Sequence, residues 1–211
     1  HDYLPPLDVI AGWLPRVPDV GVKLSPGVRL AEIEHYDAEI EFISVNGELR
    51  EAVLWFGGLQ HGTRRATLLP GGHTLLPVDG APVPVGPPRA VLYEPDPAVL
   101  RAGLVEDLAR VLGAGKIDPD IAYLTSDAVA PTPFARAFFV EQDMPFGIKR
   151  VRAALRALGV GRVTVKKRGS PLEVDAFVRA MKLRGDPANE KIVFLTHVQQ
   201  RPWVLIARPV L

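Results

Sequence analysis

The sequence predicts an α/β fold of mixed topology, and three observations carry that prediction. Residues 38–56 alternate apolar and polar side chains on either side of Asn46-Gly47, the pattern of two antiparallel strands joined by a tight turn. Residues 97–112 and 148–158 repeat apolar side chains at helical spacing. Residues 191–198 and 202–208 are short runs rich in Val, Ile, Leu and Phe, broken by a polar turn at 199–201.

Residues 7–14 read as a helix, and residues 21–24 (GVKL) as a strand stopped by Ser25, Pro26 and Gly27. The hairpin follows, then a strand over 64–69. From Pro70 to Pro88 proline and glycine dominate, which predicts a loop or linker and places a boundary near Arg89, with domains over 1–89 and 90–211. The second half opens on a strand at 90–93. Asp96-Pro97 then caps a helix running to about residue 112, because proline suits the first helical position. Strands are expected at 121–125 and 136–140, and helices at 148–158 and 172–181.

The chain of 211 residues is 47% hydrophobic, which suffices for a packed core without disulfides. It has no cysteine, so disulfides and thiolate metal sites are excluded. Its apolar runs fall short of the ~20 residues that a membrane-spanning helix needs. No signal peptide is visible at the start, which fits a cytoplasmic protein with no membrane partner. Because the sequence opens at His1 directly into a helix pattern, it reads as part of a longer chain. The five histidines lack metal-ligand spacing, so no metal is expected. Thr125-Ser126-Asp127 reads as a turn or cap rather than a nucleophile.

Charge is uneven. The chain holds 25 Lys and Arg against 24 Asp and Glu, a net charge of +1. Between Gly147 and Arg184, however, eleven Lys and Arg face only Glu173 and Asp175, a local net of +9. In the 148–158 helix Val151, Leu155 and Leu158 form the core stripe, while Lys149, Arg152 and Arg156 share another face. Such a surface suits a phosphate backbone, since binding it releases condensed counterions. The candidate RNA-binding residues are Lys149, Arg150, Arg152, Arg156, Lys166, Lys167, Arg168, Lys182 and Arg184. Strand alternation puts Lys167 opposite Lys166 and Arg168. Phe138 and Phe139 adjoin on one strand, so one ring faces the core and the other lies where it could stack on a base. Phe146, Trp55 and Trp203 read as packing residues. The turn Ser25-Pro26-Gly27 follows a strand, where open α/β sheets gather ligands, and is a candidate substrate-cleft loop. An alternative is a protein-interaction or scaffolding module, in which the acidic residues Glu32, Glu34, Asp37, Glu39 and Glu41 meet a basic partner.

The run GVKLSPG, EIEFISVNGELREAVLWFG, RRATLLPGG, LYEPDPAVLRAGLV, DPDIAYLTSD, PFGIKRVRAALRALGVGRVTVKKRG and MKLRGD resembles bacterial class I S-adenosylmethionine-dependent methyltransferases with a C-terminal THUMP-like domain. The resemblance covers nearly the whole chain. It implies the C-terminal edge of a Rossmann-like methyltransferase sheet, whose last two strands would be the 38–56 hairpin, followed by a mixed-sheet THUMP-like domain. It also implies an RNA partner, tRNA or rRNA. The glycine-rich turn that such a fold uses for its cofactor does not occur here, so the cofactor and catalytic residues are expected before His1. The resemblance thus implies S-adenosylmethionine in the full-length protein and none in this fragment, which is expected to be inactive alone. The sheet edge left open by the missing strands would suit pairing with a second copy, a homodimer.

Overall fold

The structure, a computed structural model, describes residues 3–210. His1, one of the five histidines weighed as metal ligands, lies outside them. The chain forms two compact units. One comprises the residues up to Asp79 together with Asp96–Leu108, and the other Gly80–Pro95 with the chain from Ala109 onward.

The first unit is a five-stranded sheet made of β1 (Gly21–Leu24), β2 (Glu39–Val45), β3 (Glu48–Trp55), β4 (Arg64–Leu69) and β5 (His73–Leu75). Their order is β1-β3-β2-β4-β5. Helices α1 (Val9–Trp13), α2 (Leu30–Ile33) and α3 (Pro97–Arg101) complete it. Asn46 and Gly47 both adopt positive φ, 53° and 79°, as the tight β2–β3 turn requires. β3 then lies antiparallel between β1 and β2, and β2 runs parallel to β4. One sheet face buries Ile40, Phe42, Ala52, Leu54, Ala66 and Leu68. Helix α3 packs on β2 and β4, with the Arg101 guanidinium 5.6 Å from the Phe42 ring centre.

Two differences from the expected elements have plain causes. The Pro/Gly stretch contains β5, because Gly71-Gly72 turns the chain back on β4 and Leu75 is buried there. The helix expected over 97–112 is broken at Gly103, whose φ of +70° leaves the helical region, so α3 ends and α4 (Val105–Leu112) begins anew. Asp96 caps α3 by accepting from the Ala98 N–H.

The second unit is a seven-stranded sheet of β6 (Val91–Pro95), β7 (Gly115–Lys116), β8 (Leu124–Ser126), β9 (Ala135–Pro145), β10 (Val160–Lys167), β11 (Asp186–Val198) and β12 (Arg201–Pro209). The order is β10-β11-β12-β9-β6-β8-β7. Among the strands of this sheet in the described residues, only β10 and β11 pair with each other in parallel, through the crossover helix α6 (Val174–Met181); α5 (Ile148–Ala157) precedes β10. β8 starts later than expected because the buried Asp118 carboxylate accepts from the Asp120 and Gln200 N–H groups and holds the preceding segment as a loop.

Each sheet face has its own core. Val151 and Leu155 of α5 and Phe177 and Met181 of α6 pack on Val193, Leu195, Val204 and Ile206. The other face gathers Leu92, Tyr123, Phe138, Phe194 and Leu205, with Phe194 meeting Tyr123 and Phe138 edge to face at 5.3 and 5.0 Å. The sheet is strongly curved around this second core. Lys166 on β10 reaches Glu94 on β6 at 2.6 Å although three strands lie between. A flat sheet would hold those strands about 19 Å apart, further than the two side chains reach together.

Among the described residues no helix is long and apolar enough to cross a membrane, and no three His, Asp or Glu side chains gather as metal ligands.

Candidate nucleic-acid interface

The structure divides the basic residues by sheet face and by whether they are already engaged. Lys166 projects into the concave side, pairs with Glu94 and lies 5.8 Å from the Phe138 ring centre. Arg168 donates to the Ala122 carbonyl at 2.9 Å and covers the Tyr123 ring at 4.8 Å. Burial pushes the Tyr123 hydroxyl up to about 12, the Arg168 cation pulling down and Glu94 pushing up. Lys167 points to the helix side and donates to the Leu172 carbonyl at 2.9 Å. The three consecutive cations therefore act as struts, two of them across the concave core.

The helix side holds most of the remaining cations. Arg152 is half-buried and donates through Nε to the Ala180 carbonyl at 2.8 Å, tying α5 to the last turn of α6. Arg150 makes a long contact of 3.4 Å to the Pro145 carbonyl. The side chains of Lys149, Arg156, Arg179, Lys182 and Arg184, and of Arg162 on the opposite face of β10, are exposed and form no hydrogen bond or ion pair among the described residues. Four of these stand at or just past the C-terminal ends of α5 and α6. Arg156 stands in the last turn of α5 and Arg179 in that of α6, with Lys182 at its C-cap. The backbone of Gly185 lies against Gly159 and Val160 so tightly that no Cβ would fit, which draws Arg184 to the end of α5. The partial negative charges of helix C-termini stabilise nearby cations by about 0.3–1 kcal/mol each.

In the first unit, Ser25-Pro26-Gly27 is a hydrogen-bonded reversal: Ser25 Oγ accepts from the Gly27 N–H at 3.3 Å and Ser25 O from the Val28 N–H at 3.1 Å. The acidic residues expected to face a partner require a correction. Glu39 and Glu41 are buried beside Arg65, at 3.2 and 3.0 Å. Glu41 also accepts from Trp55 and Thr67. Burial alone would raise the Glu41 carboxyl, but the hydrogen bonds from Arg65, Thr67 and Trp55 outweigh it and hold it below the usual carboxylate range. Alternation along β2 places both glutamates on the face opposite Phe42, and β4 supplies their counter-charge. Glu32 is taken by Arg29 at 2.9 Å.

Sequence reasoning missed Glu94 and Arg65 as the partners that consume charge. Both contacts bridge distant stretches of chain, and nothing local to either residue announces them.

Residues 135–209 match the family model described as THUMP domain-like. They run from β9 to β12 and contain all the free cations just described. Over 171 residues, 79% of this chain, the sequence is 37% identical to an uncharacterized S-adenosylmethionine-dependent methyltransferase of Mycobacterium tuberculosis, matched alike in strains H37Rv and CDC 1551. The chain carries a THUMP-like domain and is related over most of its length to S-adenosylmethionine-dependent methyltransferases. It spans 47% of the length of those relatives. The fold is shared with a crystal structure of a protein named as a methyltransferase from Porphyromonas gingivalis W83, at a TM-score of 0.77 and 21% identity, covering 97% of this chain and 54% of that one. In the first unit of this methyltransferase relative, the hairpin strand β3 lies between β1 and β2, and β4 and β5 extend the sheet beyond β2. No G-x-G-x-x-G run occurs in the sequence.

Proposed function

We propose that this chain supplies the RNA-docking part of a cytoplasmic S-adenosylmethionine-dependent RNA methyltransferase, with the THUMP-like domain gripping structured tRNA or rRNA. The observation that carries the reading is the group of exposed cations on the α5–α6 side, Lys149, Arg156, Arg179, Lys182 and Arg184, none answered by an acid among the described residues. Lys166, Lys167, Arg168 and Arg152 shape the domain, and Arg150 borders the face. Cofactor and catalytic groups are assigned to residues outside this chain, and Ser25, Pro26 and Gly27 to the rim of the substrate cleft. Alone, the chain neither binds S-adenosylmethionine tightly nor transfers a methyl group; low-micromolar cofactor binding in calorimetry would refute this.

Titration against bulk tRNA and rRNA fragments at two salt concentrations, with duplex DNA as control, tests the docking. Salt-sensitive binding that prefers RNA is expected. Absence of binding near physiological salt would reduce the face to a solvated surface. The scaffolding alternative is weakened by the burial of Glu39 and Glu41, which removes two of its five acids from any partner.

A further inference from the structure

We infer that this face takes the phosphate backbone of base-paired RNA, an A-form stem, and not unpaired bases; the inference rests on the RNA-docking reading above. Sequence-tolerant recognition of single strands needs aromatic faces on which bases stack. The matched domain has six aromatic residues, and none is open on the helix side. Phe138, Phe177 and Phe194 are buried. Phe146 packs into the helix-side core. Phe139 is covered by the Arg208 guanidinium, 4.4 Å from its centre. Trp203 packs on the concave core and spends its indole N–H on Asp143 at 2.9 Å.

The exposed positions of the helices also carry no amide or hydroxyl side chain that reads base edges. The exposed positions of α5 are Lys149, Arg150, Ala153, Arg156 and Ala157, and those of α6 are Asp175, Ala176 and Arg179. Such a surface offers cations over alanine, with no Asn, Gln, Ser or Thr to recognise a base. Lys149 and Arg156 stand seven residues apart on a packed helix, about 10.5 Å along its axis, and so present charge at fixed spacing. A rigid array of cations suits a regular row of phosphates, whereas a flexible single strand would have to be ordered to meet it. Contact is then with shape and charge, the way double-stranded RNA is ordinarily recognised.

The test uses fluorescence anisotropy of the whole chain with three probes: a blunt RNA duplex of about 16 base pairs, one of its strands chosen to be incapable of self-pairing, and duplex DNA. The RNA duplex is expected to bind at least tenfold more tightly than the single strand, whatever its sequence. In the Lys182→Glu/Arg184→Glu variant, the slope of log affinity against log salt should shrink by about two, while the thermal midpoint stays put. Phe139→Leu and Trp203→Phe should leave affinity unchanged. Tighter binding of the single strand, or its loss in Phe139→Leu, overturns the inference and leaves RNA docking standing. Equal binding of duplex DNA, or no RNA binding at all, overturns the docking reading itself.

Discussion

Lys166, Lys167 and Arg168 stand side by side and meet three different partners, so a run of like charges in the sequence need not be a patch on the surface. Alternation along β10 was legible from the sequence, and it separates Lys167 from its neighbours. The destinations were not, because Glu94 lies 72 residues away and is brought within reach only by the curvature of the sheet. Lys166→Met should leave Glu94 three-quarters or more buried without its counter-charge, and cost about 1–2 kcal/mol, between the values for exposed and buried pairs. Urea denaturation measures the cost, and an unchanged midpoint would show that the pair is dispensable. RNA affinity per folded molecule should not move. Tyr123 makes a second prediction. Its hydroxyl ionises near 10 when unfolded and at about 12 when folded, so between those values the unfolded chain gives up a proton that the folded chain keeps. Stability must therefore fall as pH rises through that window. Tyr123→Phe should flatten the alkaline loss, and an identical pH profile in both proteins would contradict the assignment.

At the scale of elements, the periodic helices and the Asn46-Gly47 hairpin were readable because each follows from local rules: apolar spacing for α5, a positive-φ pair for the turn. β5 escaped because three residues carry too little pattern, and only pairing with β4 makes them a strand. The break at Gly103 was hidden for a different reason. The apolar spacing of residues 97–112 fits one continuous helix, and a lone glycine within it costs only about 1 kcal/mol relative to alanine. On α5 the spacing of Lys149, Arg152 and Arg156 suggested one functional face, yet Arg152 serves α6. Arg152→Ala should therefore lower stability by about 1 kcal/mol through its lost hydrogen bond to the Ala180 carbonyl. Lys149→Glu/Arg156→Glu should leave the melting midpoint nearly unchanged and weaken RNA binding several-fold. Both are read by thermal melting and by anisotropy. A reversed pattern, in which Arg152→Ala only weakens binding and the double variant only unfolds, would exchange their roles.

At the scale of the whole molecule, residues 1–90 are acidic on balance and 91–211 basic, a difference in charge that points to two parts. Composition also drew attention to Arg89, where the Pro/Gly stretch ends. The compact units are not consecutive, however, because Asp96–Leu108 belongs with the first sheet while Gly80–Pro95 belongs with the second. This exchange could not be read locally, since α3 meets β2 and β4 across more than 25 residues of intervening chain. It has a consequence for dissection. Ala98, Val99, Ala102 and Leu104 are each no more than 1% exposed in the first unit. A chain limited to residues 90–211 keeps these side chains but loses the sheet that covers them. Exposed apolar surface of that kind drives association. The shortened chain should therefore elute as oligomers and bind a hydrophobic dye, while the 211-residue chain does neither. Replacing Val99 and Leu104 by Ser in the shortened chain should restore a monomer that still binds RNA, because α5 and α6 draw none of their core from residues 96–108. If residues 90–211 are monomeric and dye-free without those changes, the apolar side of α3 has another cover within the second half, and the two units part at Arg89 after all.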